Sequence, residues 1–253
     1  MARPTTDWLT VRVLVSRIGL TPLKGARHRD LRRVRLERDG PVGDRALCLV
    51  DPVQARVLRT VDNPRMLLVE ALWDGTMLTT RTPDGYEVRA RPAPTGEELV
   101  ADYWGRETTL RLLDSPHAAQ LGPYLGRRVR LARVDPGAVV YGAPVSIVTT
   151  GALTRLNETE DARFRATLTL RADEDPAPGT VLRLGDVTLR VRARIPRCRV
   201  IDINPATGVM DTRHLASLVD QPRPTGELPF GVDAEVLVAG DVTVGQPVSV
   251  MPS

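Results

Sequence analysis

Cysteine is scarce in this chain of 253 residues: there are two, Cys48 and Cys198, and they lie far apart. That argues against a disulfide-stapled secreted scaffold, a closely spaced Cys/His zinc site and an internal four-cysteine iron–sulfur module. A chain of this length buries enough surface to fold without such staples. Aromatic residues make up only 4%, and no stacking motif of the kind used on nucleic acids is present, so nucleic acid is not an expected partner. No apolar run reaches the ~20 residues a membrane helix needs, so no membrane association is expected. The first residues, Met1 to Ser16, contain Asp7 and no basic region leading into an apolar one. A signal peptide is therefore not expected, and a cytoplasmic location is. Lys and Arg number 35 against 31 Asp and Glu, a formal charge of +4, and nearly all the cations are arginine. The guanidinium fork pairs with phosphate through two parallel hydrogen bonds, which points to a small phosphate-bearing ligand.

What is present is β patterning. Residues 9–16 alternate valine with other side chains and predict a first strand. Residues 31–36 and the apolar run around Cys48 predict two more, with Cys48 in the core. Asp74-Gly75, Asp84-Gly85 and Gly185-Asp186 are hairpin signals. Residues 91–98 read as a proline-rich loop, and residues 239–248 as a closing hairpin. A short helix is expected from Ser115 to Leu125, stopped by Gly126. Another is expected over residues 149–157, with Thr149 or Thr150 as its cap; hydroxyls at a helix start suit an anion as well as a cap.

The most informative stretch is Arg192 to Asp211, with Cys198 between Arg197 and Arg199. Val200 to Ile203 reads as a short strand running into the turn Asn204-Pro205-Ala206-Thr207-Gly208. Cations beside a thiol favour the thiolate, the form that ligates metals and attacks electrophiles. The alternative is a buried structural cysteine.

The pattern Arg-Cys-Arg, an apolar run with an acidic residue, then Asn-Pro-Ala-Thr-Gly resembles the central motif of MOSC domains. The resemblance extends to Pro22-Leu23-Lys24-Gly25, Gly43-Asp44-Arg45, Arg163-Phe164-Arg165 and the acidic pair Glu174-Asp175. It implies a mainly β fold with few short helices: an N-terminal β-barrel domain at residues 8–112, then a MOSC β-barrel at 113–253, although such domains often share strands. It also implies a molybdenum cofactor, a pterin dithiolene whose metal is ligated by Cys198. Lys24, Arg59, Thr149, Arg163, Arg165, Thr167 and Arg197 are the matching cofactor-binding candidates, with Lys24 near the phosphate. Asp44 and Arg45 read as a pair that closes a turn, with ligand contact as the alternative.

Two departures stand out. The family's Thr-x-Arg before a proline is here Arg59-Thr60-Val61, so Val61 takes the arginine's place, with Arg59 a partial substitute on the same strand face. Pro-Asn after Arg-Phe-Arg becomes Ala166-Thr167. The chemistry implied first is reduction of N-hydroxylated small molecules, with electrons from a separate donor protein. Sulfur transfer at Cys198, or a scaffold without molybdenum that acts on another anionic small molecule, are the alternatives.

Overall fold

The computed structural model describes residues 13–219 and 228–251, so residues 9–12 of the expected first strand lie outside the described residues. The fold is mainly β. Five strands, Leu47–Asp51, Arg56–Val57, Ala93–Tyr103, Arg106–Asp114 and Arg130–Arg133, close into a barrel. Its interior is filled by Cys48, Val50, Val57, Ala101, Tyr103, Leu110, Leu112 and Ala132, alternate residues of successive strands. A meander of Glu70–Trp73, Leu78–Arg81 and Glu87–Ala90 turns at the expected Asp-Gly pairs. The helix Pro116–Leu125 ends at Gly126, whose φ of 68° is the left-handed cap that glycine adopts without a Cβ clash.

The second body is an eight-stranded sheet. In order it runs Ser249–Met251, Val181–Leu184, Val187–Pro196, Pro229–Val238, Val145–Thr149, Leu168–Arg171, Leu14–Leu20, Arg29–Leu31. Two early strands thus belong to the late sheet. Leu14 pairs with Arg171 and Ile18 with Leu168, and Val15, Ile18, Val34 and Leu36 share one core with Ile147, Leu168, Val232 and Val242. A division at residue 112 does not describe this topology. Residues 14–37 pack with 145–251, and the barrel runs on to Arg133, because Arg130–Arg133 pairs with Leu47–Asp51. Apolar alternation marks a strand but does not name its partner.

Two local expectations also fail. Residues 91–98 are mostly strand: Ala93–Tyr103 pairs along Arg106–Asp114, with the irregular register between Pro94 and Glu98 absorbing the proline and Gly96. The closing hairpin is absent. Gly240–Thr243 pairs instead with Arg33–Glu37, and Ser249–Met251 with Val181–Leu184. No helix among the described residues is long and apolar enough to cross a membrane.

Candidate functional site

A cavity of about 300 Å³ opens where the barrel's Tyr103–Arg106 turn faces the strands Val145–Thr149 and Val187–Pro196. Cys198 lines it, half-buried. The strand Val187–Pro196 delivers this residue, and the chain then turns into a 3-10 helix, Arg199–Asp202, rather than the expected strand. The reason is local. Ile201 is fully buried, and the Asp202 carboxylate accepts a hydrogen bond from the Leu215 amide at 2.9 Å, which pulls the backbone into a turn. Of the two arginines beside Cys198, only Arg197 lines the cavity; Arg199 is exposed beside Met210.

Four cations surround the thiol's side of the cavity: Lys24, Arg45, Arg165 and Arg197. Lys24 is the chain's only lysine, in a sequence that uses arginine everywhere else. It is half-buried, with its ammonium 5.3 Å from the centre of the Tyr103 ring, and that ammonium makes no hydrogen bond or ion pair among the described residues. Burial, then the charges of Arg45 and Arg165, push its pKa down to about 7 against smaller upward pulls from Asp44 and Cys198. Gly25 beside it has φ 91°, and a Cβ there would stand 3.3 Å from Thr60 Oγ1, so the turn is tight. Arg45 pairs with Asp44 and donates to the Arg165 carbonyl at 3.3 Å. Arg165, its pKa pushed down to about 9 by burial and by Arg45, donates to the Ala26 carbonyl at 2.9 Å.

Arg197 is held by the carbonyls of Phe230 at 2.7 Å and Phe164 at 3.0 Å. Its Nη2 is buried without a partner among the described residues. Gly231 makes room for it, since a Cβ at that φ of 72° would meet the Ile147 carbonyl at 2.6 Å and Arg197 Nη2 at 3.0 Å. Burial pushes Arg197 down to about 10, against the carboxylate of Asp175. Buried cations without matching carboxylates are costly, and an unpaired donor seeks an acceptor. The arrangement fits an anion beside the Cys198 side chain. Among the described residues no group of three or more His, Cys, Asp or Glu side chains could hold a metal ion. A metal here would need most of its donors from a cofactor.

The other expected residues divide. Arg59 lines the cavity, from a turn rather than a strand. Its guanidinium pairs with Asp62 at 2.6 Å and packs over the Trp104 ring at 4.7 Å. Val61 lines the wall nearby.

Arg163, Thr149 and Thr167 do not line the cavity. Arg163 is buried and taken up by Glu158 at 2.7 Å and Asp211 at 2.8 Å, because Asp161–Phe164 is a 3-10 helix ending in a left-handed Arg165 (φ 54°). That turn sends the two arginines different ways and buries both, where a strand would have left them facing solvent. Thr149 caps the helix Thr150–Arg155 by accepting from the Ala152 amide, and it donates to Asp175 at 2.8 Å. Thr167 Oγ1 lies within hydrogen-bonding distance of the Ser146 hydroxyl and amide, both at 3.3 Å.

Tyr103, Trp104, Tyr141 and Ser146 also line the cavity and were not expected there, and Arg45, for which closing a turn was the favoured reading, lines it as well. Only Arg45 carried a signal, in the Gly43-Asp44-Arg45 motif. Aromatic residues at hairpin turns have no sequence mark of a site.

Residues 133–249 match the family model for the MOSC domain. A solved structure, the YUAD protein from Bacillus subtilis, is similar over 95% of this chain and 96% of that one, at 10% sequence identity and a TM-score of 0.41. No curated protein matches the chain.

Proposed function

With a MOSC domain over residues 133–249 as the premise, we propose that this protein holds a molybdenum–pterin cofactor and reduces N-hydroxylated small molecules, with Cys198 as the metal's protein ligand. The family is associated with molybdenum-cofactor enzymes. The observation that carries the reading is the meeting of Cys198 with Lys24, Arg45, Arg165 and Arg197 around one cavity.

Each residue has a part. Cys198 offers the soft thiolate that molybdenum prefers over the oxygen and nitrogen donors nearby. Lys24 and Arg165 would hold the cofactor's phosphate, and the unpaired Nη2 of Arg197 would donate to another of its acceptors. Lysine rather than arginine at position 24 gives a compact point charge on a flexible stem, able to approach a phosphate oxygen end-on. Tyr103, whose hydroxyl is pushed up to about 12 by burial, stays protonated at neutral pH and is a donor at the same wall. When bound, the cofactor supplies a two-electron redox centre. Reduction of an N-hydroxyl group consumes two electrons and two protons and releases water. The electrons come from a separate donor protein, and a cytoplasmic setting belongs to the same proposal.

Val61 in the wall, with Arg59 already engaged by Asp62, supports a second reading: an anionic small molecule bound without molybdenum. The deciding experiment is elemental analysis of protein made in a cofactor-competent host, for the natural chain and for Cys198→Ala. The first reading expects molybdenum on the natural chain, reduction of an amidoxime by a reduced viologen, and loss of that turnover in the variant. A metal-free natural chain, or full turnover by Cys198→Ala, would leave the second.

A further inference from the structure

The cavity has two unlike ends. Its inner wall is cationic. Its mouth carries Trp104 and Tyr141, which are 38% and 48% exposed although both line the cavity. Tyr86 is exposed too, away from the cavity, but Trp104 sits in a position that needs explaining. It is the first residue of the two-residue turn between Ala93–Tyr103 and Arg106–Asp114, with φ 55°, followed by Gly105 at φ 76°. Turns of this shape take asparagine, aspartate or glycine there. A bulky side chain with positive φ is a strained outlier, and such outliers cluster where function holds them.

The ring is also fixed in place. Asp62 pairs with Arg59 at 2.6 Å, and Arg59 packs on the Trp104 ring at 4.7 Å. The Asp102 carboxylate accepts from the Gly105 amide at 2.8 Å. Across the mouth, Arg106 donates to the Val140 carbonyl at 2.9 Å and so ties the segment before Tyr141 to the same hairpin. Both aromatic side chains therefore stand on segments that are bonded to each other.

We propose that Trp104 and Tyr141 form a stacking subsite at the mouth that selects planar aromatic compounds as substrates. This rests on the reductive function proposed above, and it names the class of group that the N-hydroxyl carries. A flat conjugated group lies against the Trp104 ring, its reactive end directed inward toward Cys198. Asp62 and Arg59 are positioning residues that hold the ring.

The test is a matched pair of ligands, phenyl amidoxime and its cyclohexyl counterpart, alike in charge and ring size but not in flatness. Calorimetric titration of the full chain from the cofactor-competent host, with molybdenum determined on the same sample, gives the affinities. The natural chain should bind the phenyl compound up to about tenfold more tightly, the size of an aromatic pair beyond its buried area. Trp104→Phe should keep the preference, and Trp104→Gly and Tyr141→Ala should each reduce it. Trp104→Gly suits the left-handed backbone, so it removes the ring without unsettling the hairpin. In turnover, both ring-removing variants should raise KM for the phenyl compound by a larger factor than KM for the cyclohexyl compound. Equal affinities for the two compounds in the natural chain, or a preference untouched by both variants, would overturn the proposal whatever the molybdenum content. A metal-free sample that still prefers the phenyl compound would keep the subsite and remove the redox reading.

Discussion

Arg163 and Arg165 are one residue apart, both buried, and they live in opposite electrostatic worlds. Arg163 lies between two carboxylates. Burial pushes Glu158 up, but hydrogen bonds from the Glu160 amide and His214, with the charge of Arg163, bring it below the usual carboxylate range. Asp211 is lowered first by its hydrogen bond from Arg163. Asn204 of the motif turn joins this network by donating to Asp211 at 2.6 Å. Arg165 faces the other way, toward Arg45 and Lys24, and donates only to a carbonyl. The first region is neutralised by carboxylates of the chain itself, although Arg163 Nε, 2.7 Å from Glu158, has no aligned hydrogen bond among the described residues. The second gathers Lys24, Arg45 and Arg165 around the single carboxylate of Asp44. The difference separates a residue that supports a site from one that forms it.

The largest expected effect tests this directly. Arg163→Met leaves the buried Glu158 carboxylate without its cation, though His214 and two amides still hold it and exposed Asp211 keeps Asn204. Denaturant unfolding should therefore show a loss of about 3 kcal/mol, the low end for a broken buried pair. Arg165→Met in cofactor-free protein should cost at most about 1 kcal/mol, the worth of one hydrogen bond, because it also removes repulsion. Equal losses would erase the contrast.

The cysteines extend it at smaller size. Cys48, its thiol pushed up to about 12 by burial in the barrel, should cost about 1 kcal/mol as Cys48→Ala and leave chemistry intact. Cys198→Ala should melt near the natural temperature and lose turnover. Paired melting and activity measurements decide, and a reversed pattern refutes the assignment.

Third is pH. The Lys24 pKa falls to about 7 on folding from an ordinary value of 10.5, so the unfolded chain binds more protons between those values. Stability of the cofactor-free protein should rise as pH climbs from about 7 toward 10, with the penalty fully present below 7. Asp44, Cys198, Tyr103 and the neighbouring guanidiniums surround the same ammonium, so Lys24→Met should flatten the rise without changing its sign. A slope identical in the variant would remove Lys24 as its source. Smallest is Val61→Arg, which adds a cation at the wall and should modestly raise molybdenum retained per chain. A lower metal content would count against Val61 as a missing grip.

The sequence was most legible where chemistry is carried by short motifs. Lys24 and Cys198 were found by their neighbours, Cys48 by its apolar strand, and Thr149 as a cap by its place before Leu153. The rest depended on distant partners. Nothing in Arg163-Phe164-Arg165 says that a left-handed Arg165 will send the two guanidiniums apart. Nothing in Trp104-Gly105 distinguishes a turn over a cavity from a turn into solvent. Likewise the strand at Leu14–Leu20 is plain as a strand, whereas its partner, Leu168–Arg171, is fixed only by the packed core.

That pairing has a consequence for how the protein is made. The five barrel strands lie within Leu47–Arg133, so the barrel can close as soon as that stretch has left the ribosome. Leu14–Leu20 emerges earlier; Arg29–Leu31 can pair with one of its edges at once, but the partner for the other edge, Leu168–Arg171, is synthesised only after the whole barrel. Until then that second edge is unpaired, the condition in which strands stick to other chains. The charged residues Arg17, Arg29, Asp30, Arg32 and Arg33 within and just after that strand act as gatekeepers during the wait. The cavity, whose walls come from both bodies, is the last part of the molecule to exist.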